Sequence, residues 1–337
     1  MIGTSVQEDL QEIRSELESS SFEDQNCLVT GGAGFLGSWL CAIFLLAGAK
    51  VCCIDNLSTG SLENINHLKR NKHFTIRRVD VTNHSEPREK FHYILHLASR
   101  VSPEDYQEHP IETLLTNSTG TKDMLELARK NDSVLLYTSS SEIYGNSEII
   151  PTPETYYGYV NPIGSRSCYD EGKRFGEALC IAYYKTYGLD VRITRIFNSY
   201  GPRMRADGAY ARAIPRFISQ GLASQDITVY GNGSQTRSFC YVTDTITAIV
   251  KTLQTLSMKG EVVNIGNPEE TSILALAQQI LSLTKSNSRI TFHPRPQDDP
   301  QRRCPDMSRA KKKLKWEPRV TLEQGLQKTI SWFRDYS

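Results

Sequence analysis

The segment Cys27-Leu28-Val29-Thr30-Gly31-Gly32-Ala33-Gly34-Phe35-Leu36-Gly37-Ser38 decides the fold of this 337-residue chain. Four strand-forming residues lead into a glycine loop, and a helix is predicted from about Ser38. Glycines at such a turn let the backbone approach a phosphate at a helix N-terminus. The spacing is GxxGxxG rather than GxGxxG. The next apolar strand, residues 51–54, ends in Asp55, where an acidic side chain accepts hydrogen bonds from ribose hydroxyls. A carboxylate there repels a 2′-phosphate, so the expected cofactor is NAD rather than NADP.

The same rhythm continues outward. Residues 74–79 read as a strand ending in Asp80, residues 93–97 lead to Ala98 and Ser99, residues 134–137 run into Ser139-Ser140-Ser141-Glu142-Ile143-Tyr144-Gly145, and residues 191–196 run into Phe197-Asn198. Continuous apolar strands separated by helices imply an α/β fold: a Rossmann-like, doubly wound parallel sheet covered on both faces. Ligands in such sheets bind at the carboxyl ends of the strands, where these motifs fall. After about residue 199 the rhythm breaks at Gly201-Pro202-Arg203, and residues 294–305 are proline-rich. The expected division is an N-terminal helical extension over 1–25, an NAD-binding domain over 26–198, and a smaller, loop-rich substrate-binding region over 199–337, with some segments returning to the Rossmann domain. The extension shows helical spacing at Val6, Leu10, Ile13 and Leu17 without revealing a role.

A net charge of +1 leaves no electrostatic footprint for nucleic acid. Residues 35–54 approach the length of a membrane span, but Gly48 and Lys50 interrupt them, so helix, turn and strand is the better account. Acidic residues throughout the first 25 positions argue against an export signal. The eight cysteines show no zinc-ligand spacing and are expected as reduced, buried thiols in a cytoplasmic protein.

Tyr169 and Lys173 stand four residues apart, on one helix face. A tyrosine that works as a base near neutral pH needs its pKa lowered by about 3 units, roughly 4 kcal/mol. An exposed ion pair with Lys173 gives about 1 kcal/mol at most. A buried site with the positive nicotinamide ring nearby is therefore required. Ser140 is expected to hydrogen-bond the sugar hydroxyl that Tyr169 deprotonates, and Glu142 at the strand end is expected in the same site.

These stretches, together with YVNPIGSRSCYDEGKR at 159–174, RIFNSYGPRM at 195–204, VYGNGSQTRSFCYV at 229–242 and QDDPQRRCPD at 297–306, resemble the extended short-chain dehydrogenase/reductase family that acts on nucleotide sugars. Within it the likeness is to the UDP-glucuronate decarboxylases, over about residues 26–334. The resemblance implies a catalytic set of Ser140, Tyr169 and Lys173, with Glu142 and Arg237 at the reacting sugar. It implies NAD contacts from Gly31, Gly34, Phe35, Leu36 and Gly37, from Asp55, Asn56, Ser58, Thr59 and Gly60, and from Asp80, Val81, Leu97, Ala98, Ser99 and Asn117, besides Tyr169 and Lys173. It implies UDP-sugar contacts from Arg100, Ser141, Glu142, Tyr157, Asn198, Arg203, Tyr230, Arg237, Tyr241 and Arg303, and no metal. The implied reaction is oxidation at sugar carbon 4, loss of CO₂ from the resulting β-keto acid, reprotonation at carbon 5 and return of the hydride. A homodimer through the helices around residues 111–129 and 169–187 is implied, without a membrane partner.

Three positions depart from the pattern. Arg100 stands where the family usually has proline, Ser140 replaces a threonine, and Cys304 replaces a basic residue. A 4,6-dehydratase, which typically carries an Asp-Glu pair where this chain has Ser141-Glu142, and a 4-epimerase are the nearest alternatives. A non-catalytic NAD-binding protein is a further one.

Overall fold

The computed structural model describes residues 3–17, 22–83, 89–206 and 212–336. Seven parallel strands form its central sheet: β1 (Asn26–Thr30), β2 (Lys50–Ile54), β3 (Phe74–Arg77), β4 (Tyr93–His96), β5 (Val134–Ser140), β6 (Val191–Ile196) and, far along the chain, β11 (Glu261–Ile265). Their order is β3-β2-β1-β4-β5-β6-β11. The strand order reverses between β1 and β4, and the carboxyl edge of that switch point is where such sheets open a ligand crevice. Residues 27–30 of β1 are fully buried, as expected for a central strand covered on both faces. Three two-stranded pieces lie outside the sheet: β7 (Ser199–Tyr200) with β10 (Cys240–Tyr241), β8 (Ile227–Tyr230) with β13 (Ile290–His293), and β9 (Thr236–Ser238) with β12 (Glu270–Ser272).

The helices are α1 (Thr4–Ser15), α2 (Phe35–Leu46), α3 (Pro103–Glu108), α4 (Pro110–Leu115), α5 (Thr121–Asn131), α6 (Ser167–Tyr187), α7 (Ala213–Leu222), α8 (Val242–Gln254), α9 (Ile273–Thr284), α10 (Ser308–Leu314) and α11 (Leu322–Tyr336). On one sheet face α2 and α8 share a core with α1 and α11; on the other, α5 and α6 pack over β4, β5 and β6. Helix α2 starts at Phe35, not near Ser38. Gly34 is its N-cap, and no side chain caps the first turn. The glycine loop thus feeds directly into the helix.

Helix α1 fills the blank left by the sequence. Val6, Leu10 and Ile13 of its apolar stripe are buried, with Leu17 just beyond it. Its Asp9 is fully buried, pairs with Lys328 of α11, and accepts a 2.6 Å hydrogen bond from the Tyr241 hydroxyl. The extension is therefore built into the core beside α8 and α11.

Candidate active site

The cleft at the carboxyl ends of the strands has a volume of about 990 Å³. Its floor is the glycine loop. Gly31 adopts φ +66°, and a Cβ on Gly37 would lie 2.1 Å from the Gly31 carbonyl oxygen, so the loop closes tightly enough only with glycine at both ends. Asp55, at the end of β2, accepts from the Ala33 N–H at 2.9 Å and from the Leu57 N–H at 2.8 Å. Burial raises its pKa, and those two bonds oppose the rise. Asp80 accepts from the Thr82 backbone at 2.9 Å and the Asn56 amide at 2.6 Å. Burial pushes its carboxyl up, but the hydrogen bonds of Thr82 and Asn56 prevail and hold it below its ordinary value. A glycine cradle, an uncapped helix N-terminus and an acidic strand end together fit a dinucleotide.

Of the cofactor residues expected from the sequence, Gly31 to Gly37, Asp55 to Gly60, Asp80, Val81 and Leu97 to Ser99 contribute lining side chains or backbone. Asn117 does not line the cleft. It is fully buried behind Ser99, and its amide donates to Ser99 Oγ at 3.0 Å and to the Thr113 carbonyl at 2.9 Å. A wide turn between α4 and α5 turns it inward to position the Ser99 loop.

At the far wall β5 and α6 bring Ser140, Tyr169 and Lys173 together. Ser140 caps a short turn over Ser141–Tyr144, and its Oγ accepts the Glu142 N–H at 3.3 Å. It also hydrogen-bonds Tyr169. Burial pushes Tyr169 up to about 12; the bond with Ser140 lowers it, and Glu142's charge adds to the rise. Lys173 donates to the Thr138 carbonyl at 2.9 Å and stands 5.0 Å from the centre of the Tyr137 ring. Burial draws Lys173 down to about 7. Desolvation of both groups thus exceeds any pairing between them, in the direction opposite to that needed by a tyrosine base. A further cation at the site is required for Tyr169 to ionise.

Glu142 is gripped by two arginines. Arg303 takes both of its oxygens, with Nη2 to Oε2 at 2.7 Å, and Arg166 takes Oε2. Burial alone raises the carboxyl; the Arg166 and Arg303 charges override it and hold it well below its ordinary value. Arg237, on β9, donates to Asp299 at 2.7 Å and to the Thr236 carbonyl at 2.8 Å. Sequence reading placed Arg303 with the UDP-sugar; it lines the cleft and grips Glu142, 161 residues away along the chain.

The other expected substrate residues divide. Arg100, Ser141, Asn198, Arg203 and Tyr230 line the cleft. Arg100 pairs with Asp105 and lies within the electrostatic reach of Asp80, on the cofactor side. Arg203 stacks 4.9 Å from Trp39 of α2, and its carbonyl shares Asn64 with that of Ala33, again beside the glycine loop. Tyr241 does not line the cleft, because its fully buried ring faces α1 and its hydroxyl serves Asp9. Nor does Tyr157, whose side chain is 89% exposed; only its carbonyl is engaged, by Arg174.

Sequence reasoning missed several neighbours. Tyr106 of α3 stacks on Tyr169 with ring centres 5.2 Å apart and planes within 5°. Arg166 stood inside a quoted motif without a role. Arg212 lines the cleft, and its charge acts on Tyr169 and Glu142; nothing in its sequence surroundings signalled this.

The signature of the GDP-mannose 4,6 dehydratase family matches residues 28–329. UDP-glucuronic acid decarboxylase 1 of Danio rerio is 47% identical over 93% of this chain and 74% of its own length. UDP-glucuronic acid decarboxylase 6 of Arabidopsis thaliana is 43% identical over 93% and 90%. Among solved structures, UDP-glucuronic acid 4-epimerase from Bacillus cereus, in complex with UDP-glucuronic acid and NAD, superposes with a TM-score of 0.83 at 28% identity, covering 93% of this chain and 100% of that one. dTDP-glucose 4,6-dehydratase from Bacillus anthracis, in complex with NAD, gives 0.81 at 28% identity, covering 92% and 97%. Glycine cradle, Ser-Tyr-Lys set and arginine-held glutamate thus sit on a chain that belongs to the GDP-mannose 4,6 dehydratase family, nucleotide-sugar enzymes of the extended short-chain dehydrogenase/reductase type.

Proposed function

We propose that this protein is an NAD-dependent UDP-glucuronate decarboxylase that forms UDP-xylose. The observation that carries the reading is Glu142 held between Arg166 and Arg303 beside Tyr169. Four guanidinium groups, Arg166, Arg212, Arg237 and Arg303, gather around three carboxyl groups, Glu142, Asp299 and Asp170. That surplus suits a substrate with a diphosphate and an acid group, and the named decarboxylase relatives agree.

NAD fits the cradle from Gly31 to Gly37 and the carboxylate of Asp55; when bound it supplies a hydride acceptor, a positive charge near Tyr169, and later the hydride donor. Tyr169 takes the proton from the carbon 4 hydroxyl and returns it at the end, with Ser140 bonded to the same oxygen. Lys173 holds the tyrosine's side of the site from the Thr138 carbonyl. Once carbon 4 is a ketone, the acid group is β to it, and CO₂ leaves as electrons settle on the ketone oxygen. Tyr169 and Arg237 stabilise that oxyanion in this reading. Glu142, kept ionised by its arginines, orients the water or group that protonates carbon 5.

We further assign a homodimer: Ile111, Leu114 and Leu115 of α4 and Phe175 of α6 expose apolar side chains on the helices expected to pair. All eight cysteines are buried free thiols, which suits a cytoplasmic setting. Among the described residues no helix is long and apolar enough to cross a membrane.

The test is incubation with UDP-glucuronate, without and then with added NAD, followed by mass analysis. Conversion to a UDP-pentose with loss of CO₂, abolished in Tyr169→Phe, is the expected result. Retention of every carbon under both conditions overturns the reading and returns the dehydratase and epimerase alternatives.

A further inference from the structure

Asp170, next to Tyr169 in the first turn of α6, is an acidic neighbour of this site whose carboxyl makes no hydrogen bond among the described residues. It is 5% exposed. Its Oδ1 is buried with no hydrogen-bond partner, and its Oδ2 stands 3.9 Å from Arg166 Nε, too far for a hydrogen bond. Arg166 directs its Nη2 at Glu142 instead. An ionised carboxylate buried without hydrogen bonds is costly, and a neutral acid is not. The groups facing Asp170 are Glu142 on the turn after β5, Arg166 before α6, Cys168, Tyr169 and Glu171 on α6, Tyr106 on α3, and Arg303. Burial raises its pKa first, Glu142's charge next, while Arg166 and Arg303 lower it; it comes to about 8.

We propose that Asp170 is a positioning residue that acts in its protonated, neutral form, leaving the Arg166 guanidinium to Glu142 and to the acid group of the substrate. Ionised, Asp170 competes for Arg166 and loosens its hold on Glu142. An incoming substrate carboxylate adds negative charge and secures the proton further. The substrate half of this inference rests on the decarboxylase reading; the protonation half does not.

The test compares kcat/KM for UDP-glucuronate at pH 7 and pH 9 in the holoenzyme and in its Asp170→Asn and Asp170→Glu forms. A required acid titrating at about 8 is protonated roughly ten times more at pH 7 than at pH 9, so the wild-type value falls by about tenfold. The Asp170→Asn side chain cannot ionise, so its profile loses that tenfold step and keeps only the fall that Lys173 gives to every form; the Asp170→Glu side chain can ionise, and the step remains. Superposed wild-type and Asp170→Asn profiles overturn the positioning role. A second measurement uses only wild-type holoenzyme carrying ¹³C-labelled aspartate. Its infrared spectrum at pH 7 should show a protonated-carboxyl band that shifts with the label and fades near pH 8. Asp244, raised only to about 6, is largely ionised by then. Absence of the band overturns the inference even if the variants do not fold. A chain that shows the band but does not turn over UDP-glucuronate keeps the neutral Asp170 and loses only the substrate assignment.

Discussion

Replacing Lys173 by methionine should make the cofactor-stripped protein more stable while abolishing turnover. Lys173 is 3% exposed, and its ammonium titrates at about 7 in the folded chain against 10.5 for the free side chain. A base whose folded pKa is lowered binds its proton better when unfolded. Stability therefore rises with pH between those two values and is lowest below the folded one. At about 1.4 kcal/mol per pH unit, the penalty at pH 7 is roughly 4 kcal/mol. Methionine has nearly the same stem and no charge, so it removes that penalty. It also leaves the Thr138 carbonyl, now accepting at 2.9 Å, without its donor, a cost of about 1–3 kcal/mol. The balance is a gain of about 1–3 kcal/mol at pH 7 that vanishes or reverses by pH 10. Denaturant unfolding followed by tryptophan fluorescence at both pH values measures it. A variant less stable than wild type at pH 7, by an amount that does not change with pH, refutes the argument that Lys173 is held in a site hostile to its charge.

Glu142→Gln leaves Arg166 and Arg303 facing a neutral amide, so urea unfolding at neutral pH should show a loss of about 3–5 kcal/mol. The sign with pH is the same as for Lys173, stability rising with pH, but the window lies on the acid side. Glu142's pKa is depressed, so its contribution is present above the ordinary carboxylate value and is lost as pH falls through the folded one. The variant should lack that acid-side dependence. Tyr241→Phe removes a 2.6 Å hydrogen bond to a buried carboxylate that keeps Lys328, and should cost about 1.5–3 kcal/mol in thermal unfolding. Its KM for UDP-glucuronate should not move. A tenfold rise in KM with unchanged stability would return Tyr241 to the substrate set.

The sheet was legible because each strand carries its own signal: an apolar run of four to seven residues ending at a residue with chemistry. Asp55, Asp80, Ser99, Glu142 and Asn198 could be placed at one edge from that pattern alone. The seventh strand, β11, could not be assigned from local sequence, since Glu261–Ile265 joins the sheet beside β6 only through a contact spanning some 70 residues of chain. The site divides in the same way. Its floor is local in sequence, and the glycine loop read there as a phosphate cradle lines the cleft. Its polar wall is made by partners far apart, whose pairing local sequence does not show. Tyr241 lies in a motif full of site residues, yet its hydroxyl points at Asp9, 232 residues earlier. Arg303 lines the cleft as its neighbours in sequence suggested, but its pairing with Glu142 was not legible.

The charge state of the wall was the least legible part, because burial rather than residue type sets it. In sequence Tyr169 and Lys173 show that the lysine alone is too weak to lower the tyrosine, but not where the two values come to rest. In the fold the tyrosine rises to about 12 and the lysine falls to about 7, so both favour their neutral forms. Both resting values oppose the chemistry. A cationic cofactor ring near Tyr169 would favour the tyrosinate over its protonated form, and the neutral reduced ring would not. The base is therefore coupled to the oxidation state of the cofactor by desolvation. In water, where an ion pair is worth about 1 kcal/mol at most, neither that coupling nor the proton's retention until the hydride returns would be strong enough to matter.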